Sequence, residues 1–289
     1  MKTQPINNPL TEFAIINIDK SSGPTSFNIS DFVRKTLGLR KTSHFGTLDP
    51  RVTGVLPIAL NRACKLTGFF LGEDKEYIGI MRIHEEIEIE KIEKMIQKKF
   101  LGVIKQTPPV KSRVKRQERE REIKTFELLE KNGKDILFRV ECQGGTYIRK
   151  LLDDLGKELG IGAHMLELRR VRAGIFKEDH KKFPSVNLYD FEKAVEEYKK
   201  GNEKLLKKIL IPAEQALTEI FPSVQVKKDA VQHLFTGKRF RYEDVLTKKK
   251  FNKGERINVF AGEKFVGVYK VTNENETFAR SEFILQSIK

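Results

Sequence analysis

The stretch His44–Leu60, HFGTLDPRVTGVLPIAL, places a bend and a strand back to back. Val52–Leu60 is apolar enough to read as a buried strand. The preceding segment, His44-Phe45-Gly46-Thr47-Leu48-Asp49-Pro50, is a loop. An aspartate before proline is a turn former, because its carboxylate caps neighbouring N–H groups. A Gly- and Pro-framed loop bounded by apolar runs is also held rigidly against a core, which suits a residue that does chemistry.

Reading outward, Phe13–Ile18 is a buried strand that runs into the turn-rich DKSSGPTS, residues 19–26. A helix follows, with Ile29, Phe32, Val33, Thr36 and Leu37 at helical spacing and Ser26 as its N-cap. Glu76–Ile83 reads as a strand and Ile89–Phe100 as a Lys/Glu-rich amphipathic helix. Lys105–Lys124 holds eight Lys/Arg and three Glu without an apolar period, and reads as an exposed loop or a mobile hairpin. Phe126–Glu130 and Asp135–Gln143 flank Lys131-Asn132-Gly133-Lys134, where Asn-Gly signals a tight hairpin because both residues tolerate positive φ.

Gly144-Gly145 then introduces a helix carrying Ile148, Leu151, Leu152, Leu155 and Leu159, stopped by Gly160 and Gly162. Leu166–Phe176 reads as a strand bearing Arg169, Arg170 and Arg172. From about Asn187 to Ile220 the pattern is helical. After Phe221-Pro222 short strands take over (Val224–Val226, Ile257–Phe260, Phe265–Val271, Phe283–Ser287), with one short helix at Lys228–Phe235. This last unit carries 14 Lys/Arg against 8 Asp/Glu. Strands mixed with helices, then a small β-rich unit, predict an α+β protein with a β-barrel-like module behind it.

The 289 residues suit two domains. No apolar run approaches the roughly 18 residues needed to cross a bilayer, and MKTQPINNPLTEF lacks the apolar stretch of a secretory signal, so a cytoplasmic protein is expected. Cys64 and Cys142 are too few for a disulfide scaffold or a four-Cys zinc site. With 55 Lys+Arg against 40 Asp+Glu, the net charge of +15 makes a polyanion the expected partner, with nucleic acid the commonest. There is no GxxxxGK[ST] phosphate loop, GxGxxG, GxSxG or HExxH, and the five histidines sit at no metal-ligand spacing. No metal or cofactor is expected. Glu85-Glu86 and Asp153-Asp154 read as solvated pairs.

HFGTLDPRVTGVLPIAL resembles the catalytic motif of the TruB-type pseudouridine synthases, and the surrounding text is similar to their archaeal dyskerin-like branch, the catalytic subunit of box H/ACA ribonucleoproteins. Five more motifs carry the likeness: DKSSGPTS (19–26), KEYIG (75–79), QTPPVKSRVKR (106–116), GGTYIRKL (144–151) and GAHMLELRRVRAG (162–174). KKDAVQHLFTGKRF and KGERINVFAGEKFVGVYKV resemble a PUA RNA-binding domain. The resemblance implies a pseudouridine synthase fold, a mixed and mainly antiparallel sheet flanked by helices, over 11–219. It implies a PUA domain over 220–289, against which residues 1–10 pack.

It further implies that Asp49 is the essential aspartate, acting as nucleophile at C1′ or as base at the ribose on a glycal route, with no metal or redox cofactor. Both roles need an ionised carboxylate, which an ordinary pKa of about 3.9 supplies. Arg149 matches the basic partner of that aspartate, Tyr77 the tyrosine that stacks on the target base, and Leu168 the apolar residue against the flipped base. Lys20 and His44 match residues near the flipped nucleotide or its phosphates. Two departures touch these motifs: Lys20 precedes Ser21 rather than proline, and Ser43 stands where glycine is usual before His44. Lys111, Arg113, Lys115, Arg116 and Arg119 fall in a thumb loop that clamps substrate RNA, and Gly237, Lys238 and Arg239 where the C-terminal domain contacts RNA. The implied partners are a guide RNA, the substrate RNA and three small companion proteins. A stand-alone tRNA T-loop enzyme and a non-catalytic RNA scaffold are the alternatives.

Overall fold

Strand Ala14–Lys20 is buried on both faces, whereas Lys75–Ile83 alternates buried and half-exposed side chains. The first is what a strand covered on both sides requires, the second what a strand with one wetter face requires. The computed structural model describes residues 9–108 and 115–285. One large sheet contains β1 (Ala14–Lys20), β2 (Thr42–His44), β3 (Thr53–Leu60), β4 (Lys75–Ile83), β5 (Gly102–Gln106), β6 (Arg119–Asn132), β7 (Asp135–Cys142), β8 (Ala163–Ala173), β9 (Phe176–Lys177), β10 (Ser185–Val186) and β11 (Leu210–Pro212). Its order is β10-β1-β3-β8-β4-β7-β6-β5, with β11 on β1, β2 on β3 and β9 on β8. Pairing is antiparallel except at β1·β10 and β3·β8.

A second sheet, curled into an open half-barrel, contains β12 (Ser223–Gln225), β13 (Phe240–Arg241), β14 (Arg256–Ala261), β15 (Lys264–Glu274) and β16 (Thr277–Ile284), in the order β12-β14-β15-β16-β13. Helices Ser26–Thr36, Ile89–Lys99 and Ile148–Glu158 bury their apolar stripes against the large sheet. A second apolar cluster, including Ile15, Phe45, Val55, Phe70 and Phe176, continues through Phe265, Val268 and Phe283 of the small sheet. Phe13 stacks on Phe265 and Phe283 at 5.8 and 5.5 Å. The two sheets therefore share part of one core. Among the described residues no helix is long and apolar enough to cross a membrane, and no group of three or more His, Cys, Asp or Glu could hold a metal ion.

Several local expectations change. The helix at Ser26–Thr36 is capped by Thr25, whose side chain accepts from the Asn28 N–H, while Ser26 turns its hydroxyl to Leu48 instead. Of the two readings of Lys105–Lys124, loop or hairpin, its ends follow the hairpin: β5 and β6 pair antiparallel from Gly102↔Ile123 to Gln106↔Arg119. Charge hid this ladder, because of Arg119–Lys124 only Ile123 is buried. The next hairpin turns one residue later than Asn132-Gly133. Asn132 still pairs with Asp135, and Gly133 alone takes positive φ, +56°. The last strand starts earlier and ends at Ile284. Of the N-terminal segment 1–10, residues 1–8 lie outside the described residues; Pro9 and Leu10 open the short helix Pro9–Glu12.

Candidate active site

The loop between β2 and β3 is fixed from below by five side chains. Phe45 is buried and stacks on Phe70 at 4.7 Å, while its N–H donates to the Pro57 carbonyl at 2.9 Å. Leu48 and Val52 are buried, and the Leu48 backbone donates to Ser26 Oγ (2.7 Å) while that hydroxyl donates back to the Leu48 carbonyl (2.9 Å). Lys20, fully buried, spends its ammonium protons on the carbonyls of Ser21, Pro50 and Val52 at 2.8, 2.9 and 2.8 Å. Burial lowers its pKa, and the three carbonyls supply the negative ends that a buried ammonium needs. Lys20 thus ties the backbone just after Asp49 to the end of β1; a contact to substrate phosphate would have to break that grip.

With its neighbours anchored inward, Asp49 is driven outward. Its carboxylate pairs with Arg149, the two side chains being 52% and 57% exposed. Asp49 is therefore not a buried carboxylate; it stands half-exposed at the surface, oriented by the guanidinium. Arg149 is the second residue of helix Ile148–Glu158. A cation there opposes the helix dipole, so the Asp49 carboxylate is favoured by both the guanidinium and the helix end. The start of that helix is clamped by buried Gln106, whose amide accepts from the Tyr147 N–H (3.0 Å) and donates to the Tyr147 carbonyl (3.2 Å).

Behind this pair lies the junction of three strands. β3 meets β8 in parallel over only Thr53↔Arg169 and Gly54↔Arg170. A Cβ on Gly54 would stand 2.2 Å from the Arg170 carbonyl oxygen, and its φ is +98°, so only glycine permits this approach. β8 in turn sets Arg170 opposite Tyr77 and Leu168 opposite Gly79 on β4. Tyr77 (8% exposed) and Leu168 share one apolar cluster, and Leu168 occupies the space a side chain on Gly79 would take. Burial raises the Tyr77 pKa, and the charge of the Arg170 guanidinium, its cross-strand neighbour, pulls it part of the way back down. Arg170 is 1% exposed and donates from Nε to the Val55 carbonyl (2.8 Å) and from Nη2 to the Gly46 carbonyl (3.1 Å). Lys75 lies beside it, buried, donating to the Glu73 carbonyl at 2.6 Å. Burial, with Arg170 close by, pushes the Lys75 pKa down to about 8. His44 is half-buried, with Nε2 3.1 Å from Thr47 Oγ1; burial first and then Arg170 lower its pKa, leaving the imidazole neutral at pH 7.

Residues 34–148 match the N-terminal domain of TruB family pseudouridylate synthases, and residues 149–218 match the tRNA pseudouridylate synthase B C-terminal domain. The chain belongs to the TruB family. It is 41% identical over 276 residues to a probable tRNA pseudouridine synthase B of Methanopyrus kandleri, covering 93% of this chain and 80% of that protein. It is 44% identical to another of that name from Nanoarchaeum equitans, over 75% of this chain and 62% of the relative. The fold superposes on an H/ACA RNP bound to a substrate RNA containing 2′-deoxyuridine (TM-score 0.85, 32% identity, 98% of this chain and 89% of that one). It also superposes on a Cbf5–Nop10–Gar1 complex (TM-score 0.84, 34% identity, 98% and 88%).

The candidate site of this TruB-family chain is thus the Asp49–Arg149 pair, with Tyr77 and Leu168 in the apolar cluster that also holds Leu48 and Val52 on either side of Asp49, Lys20 ending β1 and His44 ending β2. Arg170, Lys75, Ser26 and Gln106 complete it and were not singled out from sequence. A period of two would have found Arg170 and Lys75, since they share strand faces with Leu168 and Tyr77. Lys111 and Arg113 fall outside the described residues, Lys115 and Arg116 are exposed, and Arg119 opens β6. Gly237, Lys238 and Arg239 are exposed just after helix Ala230–Phe235 of the small sheet's unit.

Proposed function

We propose that this chain isomerises uridine to pseudouridine in RNA at the Asp49 site. The N1–C1′ bond breaks, the freed uracil turns over, a C5–C1′ bond forms, and the C5 proton is lost while N1 gains one. Asp49 serves as nucleophile at C1′ or as base at the ribose, Arg149 aims it, Tyr77 and Leu168 wall the everted base, and His44 lies at the cleft rim. A stacked uridine must leave its helix to reach Asp49, and the aromatic and apolar wall offsets a few kcal/mol of unstacking. The observation that supports this reading is the outward Asp49–Arg149 pair, on a loop whose buried Leu48 and Val52 belong to the same apolar cluster as Tyr77 and Leu168.

Sequence choice comes from a guide RNA, with three small companion proteins completing the particle; the Cbf5 likeness supports this. Lys111, Arg113, Lys115, Arg116 and Arg119 grip RNA phosphates from one side, and residues 220–289 act as a PUA domain binding RNA through Gly237, Lys238 and Arg239. The catalytic domain spans 11–219 and the compartment is the cytoplasm. The names of the relatives support a second reading, unguided action on tRNA. Asp49→Ala should lower pseudouridine formation by roughly 10³-fold or more while RNA affinity stays within about twofold. Retained turnover overturns the mechanism. Adding guide RNA and companions should raise conversion of a non-tRNA target well above the chain alone; conversion confined to tRNA, without guide, decides for the second reading.

A further inference from the structure

Three arginines follow one another on β8 with different fates. Arg169 pairs with Asp19 and Glu178, and Arg172 with Glu76 and Glu141. Arg170, between them and fully buried, has no carboxylate among its described hydrogen-bond and ion-pair partners: it donates to the carbonyls of Val55 and Gly46 and stands directly opposite buried Tyr77 in the β4–β8 register. A second buried cation, Lys75, lies beside it, so the pair faces Gly46 of the catalytic loop from below, with Arg170 Nη1 and Lys75 Cε 3.3 and 3.6 Å from where a Gly46 Cβ would stand. Burying a guanidinium without a counter-anion is costly, and stability alone would favour an apolar side chain here. Its geometry offers a reason for keeping it.

We propose that Arg170 is a positioning residue for the reaction, acting through the Tyr77 hydroxyl. This rests on the reading of Asp49 and Tyr77 as the reacting site. A guanidinium has donors and no acceptor, so a bond from it to Tyr77 runs from N–H to the phenol oxygen. That fills the oxygen's accepting side and leaves the phenol's single hydrogen to turn into the cleft, toward the everted base. The same planar group holds Gly46 and Val55, which bracket Asp49 in the chain. One rigid fork thereby fixes the spacing between the hydroxyl on β4 and the carboxylate on the loop, the kind of alignment on which rate depends steeply.

The test is a double-mutant cycle in single-turnover conversion of RNA by the full chain with guide RNA and companions. Arg170→Met should slow conversion 10–100-fold with RNA affinity unchanged within threefold. In a Tyr77→Phe background it should cost no more than about threefold further. An equal cost in both backgrounds means that Arg170 only props the loop, and overturns the proposal. Arg170→Lys, which keeps a donor for the phenol, should recover at least tenfold over Arg170→Met. Equal rates for these two variants likewise overturn it, including where Tyr77→Phe alone is too slow to time. No conversion by the wild-type chain, guided or on tRNA, overturns the underlying reading and this proposal with it.

Discussion

The site has two sets of cations that differ in almost everything but charge. Arg149 stands in solvent, paired with a carboxylate on a neighbouring element. Lys20, Lys75 and Arg170 are sealed beneath the same loop and bonded mainly to carbonyl oxygens. An exposed pair contributes little to stability and is free to exchange partners, which would suit the role proposed for Asp49. A sealed cation contributes through geometry: it satisfies carbonyls that the loop's shape would otherwise leave orphaned. Chemistry is placed at the open layer and architecture at the closed one.

The comparison breaks if substitutions in the closed layer prove mild. Gly54→Ala drives a methyl into the Arg170 carbonyl at the β3–β8 junction and should cost about 4 kcal/mol, read as a shifted urea midpoint. A loss under about 1 kcal/mol would mean that the junction yields. Lys75 gives the next largest effect, and its sign is fixed. Its folded pKa of about 8 lies below the ordinary lysine value of 10.5. Between these the unfolded chain holds the proton and the folded chain does not, so folding gains as pH rises through that window. The stability of wild type relative to Lys75→Met should therefore climb by about 3 kcal/mol from pH 8 to 10.5 in parallel urea titrations. A pH-independent difference would place Lys75 in water. Smallest is the open layer: Arg149→Gln should change stability by about 0.5 kcal/mol or less in the same titrations. Conversion should nonetheless fall by roughly 10²-fold. A large stability loss would erase the distinction between the layers.

Much of this was legible in the chain. The runs Phe13–Ile18 and Val52–Leu60 could only be strands, and the glycines after Leu159 closed a helix whose stripe was unmistakable. The bend at Asp49 announced itself through its glycine and proline. What stayed hidden depends on partners distant in sequence. Thr25 and Ser26 are equally good caps, and only Leu48, 22 residues away, draws Ser26 off. Arg169, Arg170 and Arg172 look alike in a string, and only pairing with Tyr77 and Gly54 sinks the middle one. The β5–β6 ladder runs through charged residues because both its faces meet solvent along most of its length, so no apolar period marks it.

Phe13 is wedged between Phe265 and Phe283. These rings belong to an apolar cluster shared by both sheets, so prising the small sheet away would expose them to water, and the two sheets part only at a hydrophobic cost.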